Sequence, residues 1–275
     1  MSQTWYGAAE PALEKITLAG WIRVAARGVP LAVTVFGGLL LLLSLRLIEA
    51  PVFRNRRPIT PIVTQAVCKT SLFIMGLRVD RIGQPFQGPG ALVSNHVSWL
   101  DVFVLNATQR VYFVSKAEVA GWPGIGWLAR ATGTVFISRE ARDASRQRDQ
   151  FATRLSHGHL LLFFPEGTST DGRQVLSFKP TLFAAFFTRG APLGMALQAV
   201  TLAYRAPEDA DPSFYGWWGS MAFGPHLIRV LATARNGSAA VVFHPRREVA
   251  DFEGRKDIAA ALEADCRSGL PGGAG

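Results

Sequence analysis

His96 and Asp101 sit five positions apart in Asn95-His96-Val97-Ser98-Trp99-Leu100-Asp101, directly after an apolar run at 91–94. If that run is a strand, His96 lies at its exit, where α/β folds commonly carry a reacting group. Ser98 then reads as the N-cap of the following helix, with Asp101 at its N3 position. Helical side chains lean toward the N-terminus, so the carboxylate can reach back to the imidazole. A carboxylate on one ring nitrogen fixes the tautomer and leaves the other nitrogen free to accept a proton. The same spacing also fits a capping box in which Asp101 only satisfies backbone N–H groups.

Two further blocks follow apolar runs. In Phe164-Pro165-Glu166-Gly167-Thr168-Ser169, a Pro-Glu-Gly turn at a strand end exposes a carboxylate and frees N–H groups that can hold a polar headgroup; an ordinary strand-ending turn reads the same way. In Gly133-Thr134-Val135-Phe136-Ile137-Ser138-Arg139, one arginine ends an apolar strand and can clamp an anion through two nitrogens, as can any surface arginine. Gly124-Ile125-Gly126-Trp127-Leu128-Ala129 fits a dinucleotide fingerprint only nominally, since no good strand precedes it. There is no G-x-S-x-G elbow and no P-loop. His157 and His159 lack nearby cysteine or carboxylate partners, so no metal site is expected.

The elements that must position these blocks are short. Strands are predicted at 78–82, 91–94, 111–115, 134–138, 159–164, 195–204 and 238–243. Helices are predicted at 98–108, 124–132, 141–157, 181–188 and 254–268. This alternation predicts an α/β domain over 78–268, with a mostly parallel sheet flanked by helices. Residues 1–77 read as a membrane-anchoring helical segment and 269–275 as a disordered tail.

The 275 residues are 49% hydrophobic and 18% charged, which excludes intrinsic disorder. A net charge of +9 accompanies a positive mean hydropathy of +0.19. Basic nucleic-acid binders are generally polar, with cations clustered beside exposed aromatics; a basic, greasy chain with dispersed arginines points to an anionic membrane surface and not to nucleic acid. Residues 29–45 form a 17-residue run without charge, flanked by Arg23 and Arg27 before and by Arg46, Arg54, Arg56 and Arg57 after. The run either spans a bilayer or lies in one leaflet, and basic residues at both ends leave topology open. Residues 62–77, with Gln65, Lys69 and a break near Gly76, read as an interfacial amphipathic helix. The alternative is that both segments are core helices of a soluble domain. Cys68 and Cys266 are too far apart in sequence for a disulfide scaffold, which points to a reducing compartment.

Taken in order, the blocks NHVSWLD, GTVFISR and FPEGTS resemble the motifs of the glycerolipid acyltransferase superfamily, which includes bacterial lysophosphatidate acyltransferases. The resemblance covers roughly residues 78–205, with a weak fourth motif near 191–204. It implies that His96 is the general base, that Asp101 orients it, and that Arg139, Glu166, Gly167, Thr168, Ser169 and Lys179 bind substrate. It also implies no metal or cofactor, with acyl carrier protein or coenzyme A thioester as co-substrate. The chain departs from the family in two places. Ser169 stands where an arginine is common, which removes one cation for a phosphomonoester; Ala199 stands where the fourth motif has a proline, the nearest upstream being Pro192. The stretch 164–179, together with Tyr215-Gly216-Trp217-Trp218-Gly219 and Pro225-His226-Leu227, is more similar to the branch that O-acylates lyso-aminolipids such as lyso-ornithine lipid.

The resemblance therefore implies a lyso-lipid O-acyltransferase of the bacterial inner membrane, its catalytic domain on the cytoplasmic face. Direct transfer is expected, with neither cysteine as nucleophile and with N–H groups just after Val97 stabilising the tetrahedral species. The competing readings are a 1-acyl-sn-glycerol-3-phosphate acyltransferase and a non-catalytic lipid-binding membrane protein.

Overall fold

The computed structural model describes residues 4–11, 15–88, 90–138, 144–187 and 194–272. Two helices, α1 (Leu18–Phe53) and α2 (Thr60–Met75), precede a seven-stranded sheet. The strands are β1 (Arg78–Ile82), β2 (Gly90–Ser94), β3 (Tyr112–Lys116), β4 (Val135–Ile137), β5 (Leu161–Phe163), β6 (Ala196–Arg205) and β7 (Ser238–Glu248). Their spatial order is β1-β7-β6-β2-β5-β3-β4. Every pairing is parallel except β6 with β7. The remaining helices are α3 (Leu100–Thr108), α4 (Ile125–Thr132), α5 (Ala144–Ser156), α6 (Phe223–Ala232) and α7 (Arg255–Ser268).

The sheet separates two apolar clusters, as its doubly buried central strands require. Leu92, Leu162, Val200 and Leu202 pack with Leu72 and Met75 of α2, Val104 of α3 and Leu231 of α6. Ala91, Val93, Leu161 and Phe163 pack with Phe151 and Leu155 of α5 and Ile258 and Leu262 of α7. The second helix thus belongs to the same core as the sheet, through Cys68, Leu72 and Met75.

Several boundaries move from their predicted places. The uncharged run becomes part of a 36-residue helix, about 54 Å long, that takes in Pro30 and Pro51. Most of its apolar side chains are exposed, Leu40 at 68% and Leu47 at 79% among them. For α1 the soluble-core alternative therefore fails: the helix is largely unburied, and it is long and apolar enough to cross a membrane. Helix α6 was not predicted, because Gly224-Pro225 reads as a loop; a proline in the first helical turn displaces no intrahelical N–H bond. Strand β7 runs past the predicted end at Phe243 because a bulge opposite Ala199 absorbs His244 and Pro245. The predicted helix at 181–188 is a 3-10 segment, Pro180–Phe187. Residues 269–272, expected to be disordered, bring Leu270 against the second cluster.

Gly90 opens the central strand with φ +152°, and a Cβ there would lie 1.8 Å from the carbonyl oxygen of Ala196 on β6. Gly90→Ala is expected to cost about 1–3 kcal/mol from backbone conformation alone, with the clash added. A thermal melt in detergent checks this; an unchanged midpoint would refute the tight β2–β6 approach.

Candidate active site

Register builds the site. Val93 on β2 pairs with Phe163 on β5 and Ala199 on β6, so the chains leaving β2 and β5 run side by side. Continuing that pairing brings His96 beside Phe164 and Glu166. The His96 ring stacks on Phe164, with centroids 4.0 Å apart and planes 10° from parallel. The backbone N–H of His96 donates to Glu166 Oε1 at 2.7 Å, and that of Leu176 donates to Oε2 at 2.9 Å. Asn95 acts as a side-chain rung: its Nδ2 donates to the Leu202 carbonyl at 2.9 Å, and its Oδ1 accepts from the Leu202 N–H at 2.8 Å.

Asp101, in the first turn of α3, is wholly buried. Its Oδ2 lies 2.7 Å from His96 Nδ1 and accepts the N–H groups of Val97 at 2.7 Å and Ser98 at 3.1 Å. Its Oδ1 accepts the Tyr204 hydroxyl at 2.8 Å. The two readings of the His-to-Asp spacing are therefore both realised by one carboxylate. Because Oδ2 can only accept from the ring, Nδ1 carries the proton and Nε2 is the acceptor. Nε2 has no protein hydrogen bond among the described residues, and the His96 side chain stays 22% exposed. Burial, then the neighbouring Asp101, pushes the Tyr204 phenol well above the usual tyrosine range, so it remains a donor.

Cations gather on the next loop. Lys116, at the end of β3, donates from Nζ to the Gly167 carbonyl at 2.7 Å. Gly167 has φ +72°, and a Cβ on it would meet Lys179 Nζ at 2.5 Å, so the loop needs glycine to let the lysine in. An imidazole whose second nitrogen has no protein partner among the described residues, held by a buried carboxylate, can deprotonate a hydroxyl, and the two ammonium groups at Gly167 on the neighbouring loop suit an anionic substrate.

The acyltransferase family model matches residues 78–194. A lyso-ornithine lipid O-acyltransferase of Rhodobacter capsulatus is 56% identical over 97% of this chain and 96% of its own length. The chain belongs to the glycerolipid acyltransferase superfamily. A lyso-ornithine lipid O-acyltransferase of Brucella abortus is 36% identical over 58% of this chain and 63% of its own. The crystal structure of the 1-acyl-sn-glycerophosphate acyltransferase from Thermotoga maritima shares the fold, with a TM-score of 0.63 at 18% identity over 91% of this chain and 94% of that one.

This acyltransferase departs from several residue-level expectations. Ser98 does not cap α3: the N-cap position is Trp99, and the buried Ser98 hydroxyl has no partner among the described residues. The N–H groups of Val97 and Ser98 are taken by Asp101 and cannot serve an oxyanion. Glu166 is not presented by its turn; it is 2% exposed and braces the backbone of His96. Burial lifts its carboxyl to about 8, the N–H groups of Leu176 and His96 pulling down and Asp101 pushing up. Thr168 accepts the N–H of Trp5 at 3.3 Å, and the Ser169 hydroxyl donates to the carbonyl of Trp217. Arg139 and Pro192 lie outside the described residues. Ala199 is a buried core residue on β6. The Cys68 thiol is pushed up to about 12 by burial, and burial likewise raises Cys266, so both stay protonated.

Residue types alone did not reveal Tyr204 or Lys116, both separated in sequence from the motifs. His226 had a signal, the Pro225-His226-Leu227 similarity. The structure shows its Nδ1 accepting from Trp99 Nε1 at 2.9 Å and its Nε2 donating to the Gly216 carbonyl at 2.9 Å, so the 215–219 turn is tied to the start of α3. Trp217 completes this contact by donating its N–H to the Val97 carbonyl at 2.8 Å.

Two measurements follow from the buried groups. Burial lowers His159 and His226 from 6.5 to about 4, so the stability of their neutral forms is complete above about 6.5 and is lost as pH falls toward 4. Glu166 works oppositely: its contribution is complete below about 4.5 and is lost as pH rises through about 8. Melting temperature should fall on both sides, and Glu166→Gln should remove the alkaline decline; a variant that keeps it would contradict the assignment. Tyr204→Phe should cost about 1–3 kcal/mol, since a buried carboxylate oxygen loses its donor. Denaturant unfolding of that variant reads the cost directly.

Proposed function

We propose that the protein transfers a fatty acyl chain from an acyl thioester to the free hydroxyl of lyso-ornithine lipid. The observation carrying the reaction is the His96–Asp101 pair, with Nδ1 held at 2.7 Å and Nε2 free. Nε2 takes the hydroxyl proton as the oxygen attacks the thioester carbonyl carbon. The tetrahedral species then collapses, the C–S bond breaks, and the imidazolium returns the proton to the leaving sulfur. Asp101 stabilises the imidazolium and holds the ring. The thioester supplies the driving force, so the reaction needs no metal or redox cofactor, and the buried cysteines support direct transfer over an acyl-enzyme.

The acceptor reading rests on the Rhodobacter capsulatus relative, whose name is lyso-ornithine lipid O-acyltransferase, and on Ser169. An ornithine headgroup bears a carboxylate, which Lys116 and Lys179 beside Gly167 suit, together with Arg139 from the preceding motif. Gly167, Thr168 and Ser169 shape the loop that meets it. The donor is acyl carrier protein or coenzyme A, each anionic and each favoured by a +9 chain. Such donors are made in the cytoplasm, which places the catalytic domain on the cytoplasmic face of the inner membrane in this proposal.

Purified protein given acyl-carrier-protein thioester with equal lysophosphatidic acid and lyso-ornithine lipid should form the diacylated ornithine product, read by mass spectrometry. Phosphatidic acid as the main product would overturn the acceptor assignment. His96→Ala should lower turnover by about 10²–10⁴-fold while membrane association is kept, with melting lowered as in Tyr204→Phe because buried Asp101 loses a donor; near-normal turnover would refute the base. Ser169→Arg should shift the product ratio toward phosphatidic acid, and an unchanged ratio would remove position 169 from acceptor choice.

A further inference from the structure

A second site lies away from the reaction. A groove of about 490 Å³ opens between α1 and α4, lined by Leu39, Leu43 and Arg46 of α1, by Arg57 of the following link, and by Trp127 and Arg130 of α4. We propose that it binds an anionic glycerophospholipid, its phosphate on the arginines and an acyl chain along Leu39, Leu43 and Trp127.

Charge is the first argument. Glu49 is the one carboxylate paired with these arginines among the described residues, at 3.0 Å from Arg46. It is already committed elsewhere: it accepts the N–H groups of Ile59 at 2.6 Å and Thr60 at 3.1 Å, and the Thr60 hydroxyl at 2.8 Å. Neither Arg57 nor Arg130 has a carboxylate within 4.0 Å among the described residues. Arg57 is half-buried and donates to the Ala131 carbonyl at 2.8 Å, so one guanidinium edge is anchored while its charge has no ion-pair partner among the described residues. Arg154 adds to the excess of cations behind it, donating to the carbonyl of Gly133. An anion on the groove face of these arginines relieves that excess, and guanidinium forks suit phosphate oxygens.

Backbone geometry is the second. The link between α1 and α2 holds Arg54 at φ +52° and Arg57 at φ +46°, a region that arginine rarely adopts. Such conformations cost about 1–3 kcal/mol each and persist where the surroundings hold them. Here they carry the chain from the end of α1 back under α4.

The apolar lining residues select a lipid over a soluble phosphate. Trp127 is 63% exposed and Leu43 48%, continuous with the exposed face of α1 that meets the membrane. A zwitterionic aminolipid would bring its own ammonium against the arginines. The site is also not the acceptor site. A Cβ on Gly133, just before β4, would touch Arg57, whereas His96 leaves the opposite end of the parallel strands.

Native mass spectrometry of the full chain, in neutral detergent with equal phosphatidylglycerol and phosphatidylcholine, tests this. The protein should retain one phosphatidylglycerol in about tenfold preference, the size of one charge-assisted contact. Arg130→Gln and Arg57→Gln should each abolish the preference, and Arg81→Gln, exposed on β1 at the far sheet edge, should not. If Arg57→Gln misfolds, Arg130→Gln and Trp127→Ala carry the test, both being exposed positions. Equal retention of the two lipids, or an equal loss in Arg81→Gln, overturns the proposal. A matching fall in turnover on detergent-solubilised acceptor for Arg130→Gln also overturns it, by placing the groove in the acceptor path.

Discussion

A carboxylate with no solvent contact is tolerable only if its lone pairs are met, and Asp101 meets them with four donors. Two of those donors come from its own turn, one from the imidazole and one from Tyr204 on β6. The ring therefore cannot turn away without leaving a buried charge short of a partner. That single requirement ties the end of β2, the first turn of α3 and the middle of the sheet into one rigid unit.

Glu166 repeats the arrangement one strand over, with backbone instead of ring donors. It grips the N–H of His96 and that of Leu176, so the exit of β2 and the loop after β5 move together. The Phe164 ring then limits the imidazole on its open face. Trp217 and His226 close the other side through the Val97 carbonyl and the Trp99 indole. His96 Nε2 has no protein hydrogen bond among the described residues while Nδ1 and the backbone behind it are held, the preorganisation that a general base needs.

The long helix α1 answers a different constraint. Gly20, Leu31 and Leu42 turn toward the domain, while most of its other apolar side chains face outward. The same helix thus contributes to the core through Leu31 and leaves a long apolar face uncovered. Arg46 near its C-terminal end, and Arg54, Arg56 and Arg57 just beyond it, follow the apolar stretch, the position beside an apolar segment where guanidinium groups are least costly.

Much of the catalytic arrangement was legible in the chain. Apolar runs located the strands, helical side-chain direction aimed Asp101 at His96, and the ordered blocks identified the family. The reason is that these are local properties, set within a few residues by pleat, helix geometry and turn chemistry. What lay beyond reach were long-range contacts: Tyr204 on Asp101, Lys116 on Gly167, and Glu166 turned inward as a brace where its turn alone implied exposure. The fate of the Val97 and Ser98 N–H groups was equally hidden, because a donor's partner is chosen by geometry and not by type. Helix α6 and the β7 bulge escaped because proline marks a break locally, yet packing can place it where no N–H is needed. Sequence thus determined which residues have the types and spacing to carry chemistry, since residue type and local spacing are written in it. Tertiary structure alone decided which of them face substrate and which hold the others, because burial and hydrogen-bond partners depend on strands distant in sequence coming into register.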